Sequence, residues 1–198
     1  MASLRAKPPW LASIVTKIQI FDDLVPESLI NKLEEALTHD DTNWNLAPSC
    51  GGYLNESFED PNVKDTPQMY HALVYNNTPK SSVTSLAMCL LFFLESKTGM
   101  FPKELMRVKA NLLFPMFDSD SQYHPPHIDT DSDTAMSAVY YVNDSDGSTR
   151  FFDHNGNVVQ TVEPKRGRLV LFPSNTLHAS SCPIHADKRI VINFVFQP

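Results

Sequence analysis

Apolar and polar positions change their period along this chain, and the change divides it. From Ile14 to Phe21, Ile14, Thr16, Ile18 and Ile20 alternate in part with Lys17 and Gln19, which predicts a strand. Asp22-Asp23 follows, and Pro26 stands at the first turn of a run, Glu27–Thr38, whose Leu29, Ile30, Leu33 and Leu37 form one stripe. That spacing predicts an amphipathic helix buttressing a sheet. Residues 39–80 hold no period: Pro, Gly, Asn, Asp and Ser recur, Trp44, Tyr53, Tyr70 and Tyr75 are scattered, and short strands are expected only around Tyr70–Tyr75. An irregular segment of that length inside a domain is a candidate functional loop. Ser81–Lys97 reads as the clearest helix, with a Ser/Thr-rich start, an apolar body from Leu86 to Leu94, and Gly99 to stop it. Its broad apolar surface predicts burial, and it is too short to span a bilayer.

From Met106 onward the pattern becomes one of short strands between turn residues. The expected strands are Met106–Phe114, Tyr123–Asp129, Ala135–Val142, Thr149–Asp153, Asn157–Val162, Leu169–Phe172, His178–Ser181 and Arg189–Phe196. A succession of strands with no intervening helix predicts a mainly β protein with flanking helices (α+β), built on a jelly roll, that is, a double-stranded β-helix. The expected organisation is a single domain over residues 1–198. In it residues 1–105 support a core formed by 106–198, and residues 1–13 form a loose arm.

Composition narrows the function classes. A hydrophobic content of 42% and a charged content of 20% describe an ordinary globular chain long enough to bury a core. The net charge of −7 argues against a nucleic-acid partner. Cys50, Cys89 and Cys182 are odd in number and contain no Cys-x-x-Cys pair, which fits reduced thiols in a cytoplasmic setting better than a disulfide framework or structural zinc. The N-terminus has no apolar h-region before Pro8 and Pro9, so neither a signal peptide nor a membrane partner is expected.

The chemistry concentrates at His127-Ile128-Asp129. Residues i and i+2 of a strand share a face at about 6.5–7 Å, so this imidazole and carboxylate are able to grip one metal ion from adjacent corners. His178 is the nominated third ligand, and two His plus one carboxylate with open positions is an iron(II) oxygenase arrangement. A chelating dicarboxylate cosubstrate needs a cation at its far end, which Arg189 offers at the start of the last strand. Alternation places Arg189, Val191 and Asn193 on one face of that strand. Ile190, Ile192, Phe194 and Phe196 form an apolar face expected to pack between the sheets. His124 and His127 form a His-x-x-His pair, but Pro125-Pro126 excludes the helix on which that spacing converges; His124 is expected to support the site or contact substrate. His154 and His185 fall in turns, and His39 and His71 have no partner pattern.

Residues Val108–Phe196 resemble the 2-oxoglutarate- and iron(II)-dependent dioxygenases, specifically the prolyl 4-hydroxylase and oxygen-sensing prolyl hydroxylase branch. The resemblance rests on three blocks: His127-Ile128-Asp129; Ser137-Ala138-Val139-Tyr140-Tyr141-Val142-Asn143; and Glu163–Phe172 followed by His178 and Arg189. It implies iron(II) on His127, Asp129 and His178, and 2-oxoglutarate with its C5 carboxylate on Arg189 and Tyr141. Ser137 shares Tyr141's face and is expected to line the pocket. Relatives carry a tyrosine on the strand before the His-x-Asp motif, where this chain has Phe114, so either Asn111 or Tyr123 is expected in its place or the contact is absent. The implied reaction consumes dioxygen and 2-oxoglutarate, releases succinate and carbon dioxide, and hydroxylates an unactivated C–H. The implied acceptor is a proline in a peptide or protein, chosen by loops Asn45–Gln68 and Pro115–Gln122. A free amino acid or small metabolite as acceptor, and a non-catalytic metal-binding jelly roll, stay open.

Overall fold

The computed structural model describes residues 18–51, 60–153 and 155–198. In chain order the elements are β1 (Gln19–Phe21), α1 (Glu27–Thr38), β2 (Asn45–Ala47), β3 (Gln68–Tyr75), β4 (Thr78–Pro79), α2 (Thr84–Thr98), β5 (Glu104–Leu113), β6 (Met136–Tyr141), β7 (Thr149–Phe152), β8 (Val158–Val162), β9 (Leu169–Pro173), β10 (His178–Ser180) and β11 (Arg189–Gln197). An eight-stranded antiparallel sheet runs β1-β9-β6-β11-β5-β3-β2, with β4 on β3, and a three-stranded sheet runs β10-β7-β8. Together they form the expected jelly roll with two supporting helices. The major sheet crosses the expected 105/106 boundary, because β1, β2 and β3 lie before it and pair into the same sheet.

Strand alternation decides which side of the major sheet does what. Even-numbered β11 residues Ile190, Ile192, Phe194 and Phe196 pack with Ala138 and Tyr140 of β6 and with Leu33, Leu37, Leu90, Leu91 and Leu94 of the two helices. The apolar face of β11 therefore lies under the helices and not between the sheets as expected. The opposite face contributes Val139, Tyr141, Val170, Phe172 and Val191 to a smaller cluster with Phe151 and Val162 of the second sheet. Only this mixed face leaves room for polar side chains between the sheets.

The helices form where the periodicity placed them. In α1, Ile30, Leu33 and Leu37 are buried after Pro26, and Arg166 from the β8–β9 connection bonds Glu34 at 2.7 Å and Glu27 at 2.6 Å. α2 starts at Thr84 because Ser81 is spent on a turn: its Oγ accepts from Val83 N at 3.0 Å and meets His71 Nε2 at 2.7 Å. Gly99 ends it at φ 71°, its N–H donating to Glu95 O at 2.7 Å. No helix among the described residues is long and apolar enough to cross a membrane.

Two expected strands are shorter or missing. The first is observed as Gln19–Phe21, paired with β9, while residues 14–17 lie outside the described residues. Tyr123–Asp129 is not a strand; it makes isolated bridges Val63↔Tyr123 and His127↔His178. Pro125 and Pro126 have no N–H to donate, which breaks any ladder between the two bridges.

Candidate active site

His127, Asp129 and His178 come together with ligand atoms that all lie within 4.8 Å of one another. The backbone does this directly. His127 N donates to His178 O at 2.8 Å and His178 N returns the bond to His127 O at 2.9 Å, while Asp129 N donates to Ser174 O at 2.9 Å. The two imidazole centroids stand 4.5 Å apart. His178 Nδ1 lies 2.9 Å from Thr176 O; a carbonyl only accepts, so Nδ1 carries a proton and the ring turns Nε2 toward Asp129 Oδ2 at 3.8 Å. Burial, reinforced by His178, pushes His127 down to about 3, so its ring is neutral as a ligand must be. Burial acts to raise the Asp129 carboxyl, but His178, Arg107, His127 and the Ser137 hydrogen bond outweigh it and hold it below the usual carboxylate range. Two imidazoles and one ionised, 1%-exposed carboxylate are a donor set that fits iron(II).

Asp129 is held at both oxygens. Ser137 Oγ donates to Oδ2 at 2.6 Å, and Arg107 Nη2 donates to Oδ1 at 2.6 Å. Ser137 itself is fully buried and 2.9 Å from Ser174 Oγ, so it serves the carboxylate and does not line the cavity as expected.

The three candidate ligands open onto a cavity of about 470 Å³ between the sheets, whose far end is Arg189. Arg189 is 3% exposed; its Nε donates to Gly147 O at 2.6 Å and its Nη2 to Thr149 Oγ1 at 2.9 Å. It has no carboxylate partner among the described residues, and burial lowers its pKa from the ordinary arginine value. A Cβ on Gly147 would sit 2.5 Å from Ser181 O and 3.0 Å from Arg189 Cδ, so only glycine allows this approach. Asn193 Nδ2, 3.5 Å from Asp129 Oδ1, marks the candidate metal end of β11. Four residues separate it from Arg189, about 13 Å of strand. Tyr141 is fully buried, donates its hydroxyl to Thr149 Oγ1 at 2.7 Å, and does not line the cavity. Its reach toward a cosubstrate passes through Thr149.

Asn111 does line the cavity, with a buried Oδ1 that has no partner. Tyr123 does not; its hydroxyl donates to Asp60 Oδ2 at 2.6 Å. Phe114 is 47% exposed, and the phenol beside Asn111 comes instead from Tyr70, its register partner on β3. His124 is buried between Thr66 Oγ1 and Ser180 Oγ, each at 2.9 Å, and burial pushes it down to about 4. It supports the wall and is not a ligand. His185 is exposed, and His154 lies outside the described residues.

Sequence reasoning missed Thr149, Tyr70, Arg107 and Lys109. Arg107 and Lys109 had a readable signal: from Met106 to Asn111, every second position is polar. Lys109 lines the cavity without a hydrogen bond or ion pair among the described residues, and burial, with Arg107 adding to it, lowers its pKa to about 8. Cys50 also lines the cavity, but burial pushes its thiol up to about 12, which leaves no activated sulfur nucleophile there.

Residues 113–197 match the model of the 2OG-Fe(II) oxygenase superfamily. Solved structures share the fold. A Pseudomonas putida prolyl-4-hydroxylase is 19% identical with a TM-score of 0.61, over 96% of this chain and 100% of that one. A Trichoplax adhaerens prolyl hydroxylase, solved with a hypoxia inducible factor peptide fragment, is 13% identical with a TM-score of 0.56, over 91% and 83%. The epimerase SnoN, solved with Fe3+, alpha ketoglutarate and nogalamycin RO, is 15% identical with a TM-score of 0.56, over 91% and 78%. No match was found among curated protein sequences.

Proposed function

We propose that this chain hydroxylates an unactivated C–H bond, using iron(II) on His127, Asp129 and His178 and 2-oxoglutarate on Arg189. The observation that carries the reading is one cavity with a two-histidine, one-carboxylate set at one end and, at the other, a buried arginine lacking a carboxylate partner among the described residues. When bound, iron(II) would activate dioxygen, the oxidant, with 2-oxoglutarate as the two-electron co-reductant: one oxygen atom would go to the substrate C–H, the other to succinate, and carbon dioxide would be released. The chain supplies the rest. Thr176 fixes the His178 tautomer, while Ser137 and Arg107 hold Asp129 in place. Arg189 receives the distal carboxylate on a guanidinium fixed by Gly147 and Thr149, with Tyr141 behind Thr149. Val139, Val191 and Leu113 provide dry wall between the two ends. In this reading residues 106–198 are the catalytic core and 1–105 its support. The free cysteines support a cytoplasmic setting.

For the acceptor, likeness to prolyl hydroxylases supports a peptidyl proline. Proline-rich peptides incubated with enzyme, iron(II) and 2-oxoglutarate should then gain the mass of one oxygen atom; no gain counts against proline. A second reading, a free amino acid or other small metabolite, is favoured by the cations Arg107 and Lys109 in the cavity wall. The oxygenase reading itself is tested by anaerobic titration of iron(II) and 2-oxoglutarate. A visible charge-transfer band that disappears in His127→Ala and Asp129→Ala is expected. Iron binding with no band would move the chain to the metal-binding module reading.

A further inference from the structure

Among the described residues, three cationic side chains, Arg107, Lys109 and Arg189, line a cavity whose lining holds one carboxylate, Asp129. If iron(II) and 2-oxoglutarate bind as proposed above, their charges cancel each other, 2-oxoglutarate occupies Arg189, and Asp129 is shared with the metal. Among the described residues Lys109 is then left without an anion, and Arg107 has only the Asp129 oxygen that it shares with the metal site. They stand at successive cavity-facing positions of β5, about 6.5–7 Å apart at Cα. They face β11 at its metal end, since Lys109 pairs with Asn193 and Arg107 with Val195, whereas Arg189 pairs with Leu113 at the other end. Arg107 spends Nη2 on Asp129 and leaves a buried Nε with no partner, and its side chain is 33% exposed, so a ligand entering the cavity can reach it.

We propose that the primary substrate is a small molecule with a free carboxylate, which docks on Arg107 and Lys109 beside the metal. The guanidinium edge offers a carboxylate parallel N–H donors, and the ammonium adds a point charge. A neutral prolyl peptide would instead leave Lys109 desolvated without compensation and Arg107 with only its share of Asp129. The inference rests on the iron and 2-oxoglutarate reading, and the experiment separates the two.

Protein loaded anaerobically with iron(II) and 2-oxoglutarate is titrated calorimetrically with acetate as the minimal probe, then with the common L-amino acids and their C-terminal amides. At least one acid is expected to bind, with its amide weaker by roughly 100-fold, the equivalent of one or two charge-assisted hydrogen bonds. Lys109→Gln should lose most of that preference while keeping the charge-transfer band; Arg107→Gln should lose the preference too, but with weaker iron(II) binding, because Arg107 also holds Asp129. Lys109→Gln is the cleaner variant because Lys109 holds nothing else in place. An amide or prolyl peptide that binds as well as the acids overturns the proposal, as does unchanged acid affinity in both variants or no binding by any acid while the band persists. Absence of the band in wild type overturns the underlying reading as well.

Discussion

Replacing Arg189 with Met should separate stability from cosubstrate binding. In the free protein this guanidinium is 3% exposed; it donates to the neutral Gly147 O and Thr149 Oγ1 at 2.6 and 2.9 Å, and its carbon stands 5.5 Å from the centroid of the Tyr141 ring. Removing it loses two charged hydrogen bonds, each worth about 1.5–3 kcal/mol. It also removes a cation whose transfer out of water costs several kcal/mol. These nearly offset, so the apoprotein's unfolding free energy should change by less than about 2 kcal/mol. No such offset protects the bound state. Losing one partner of a buried ion pair costs about 3–5 kcal/mol, roughly 150- to 5,000-fold in 2-oxoglutarate affinity. At ~100 times its Kd a ligand adds about 2.7 kcal/mol of stability, roughly 5–10 °C in Tm for a chain of this size. The same concentration adds about 0.3 kcal/mol or less to a variant weakened at least that far. Urea and thermal unfolding under argon with iron(II), with and without 2-oxoglutarate, measure both quantities. Equal stabilisation of variant and wild type would refute the reasoning. So would an apo variant weakened by more than about 4 kcal/mol, which would make Arg189 a structural pillar.

Gly147→Ala places a methyl 2.5 Å from Ser181 O and 3.0 Å from Arg189 Cδ; it should cost about 1–3 kcal/mol of stability and weaken 2-oxoglutarate binding with it, read by the same titrations. Ser137→Ala deletes the 2.6 Å bond to Asp129 and should lower iron(II) affinity by roughly 10–100-fold with the fold intact, and unchanged affinity in a metal titration would refute that role. His124, pushed down to about 4 by burial, gives a pH signature. An unfolded histidine titrates near ~6.5, so the unfolded chain takes up more protons and stability rises with pH. This contribution is complete above pH ~6.5 and is lost toward about 4 at up to ~1.4 kcal/mol per pH unit. Urea midpoints between pH 7 and 5 should therefore fall less steeply in His124→Gln than in wild type; equal slopes would refute it.

Much of this architecture is written in local patterns. The stripe Leu29, Ile30, Leu33, Leu37 gave α1 its limits, and the alternation along Arg189–Phe196 sorted β11 correctly into two faces. What alternation does not say is which face meets which layer. The wholly apolar face went beneath the helices because the space between the sheets had to hold charged groups. Tyr141 and Ser137 were legible as residues of the cavity side, but their hydroxyls are consumed by Thr149 and Asp129. Thr149 and Tyr70 reach the cavity through pairings between distant strands, and no local period carries those.

The His-x-Asp spacing shows why a motif can identify the right residues through an incomplete structural premise. The expectation rested on strand parity, yet Pro125-Pro126 prevents a strand there. The ligands converge through a single antiparallel bridge in which His127 and His178 exchange both backbone hydrogen bonds, at 2.8 and 2.9 Å. That fixes two imidazoles side by side, and Asp129 N to Ser174 O at 2.9 Å fixes the third ligand two residues on. The ring and carboxylate partners Thr176, Ser137 and Arg107 then limit the remaining rotations. Ligand spacing is thus set by main-chain pairing and orientation by hydrogen bonds already present without a metal. It follows that Ser137→Ala should loosen the carboxylate without separating the two imidazoles, so that metal affinity falls while the His127–His178 bridge persists.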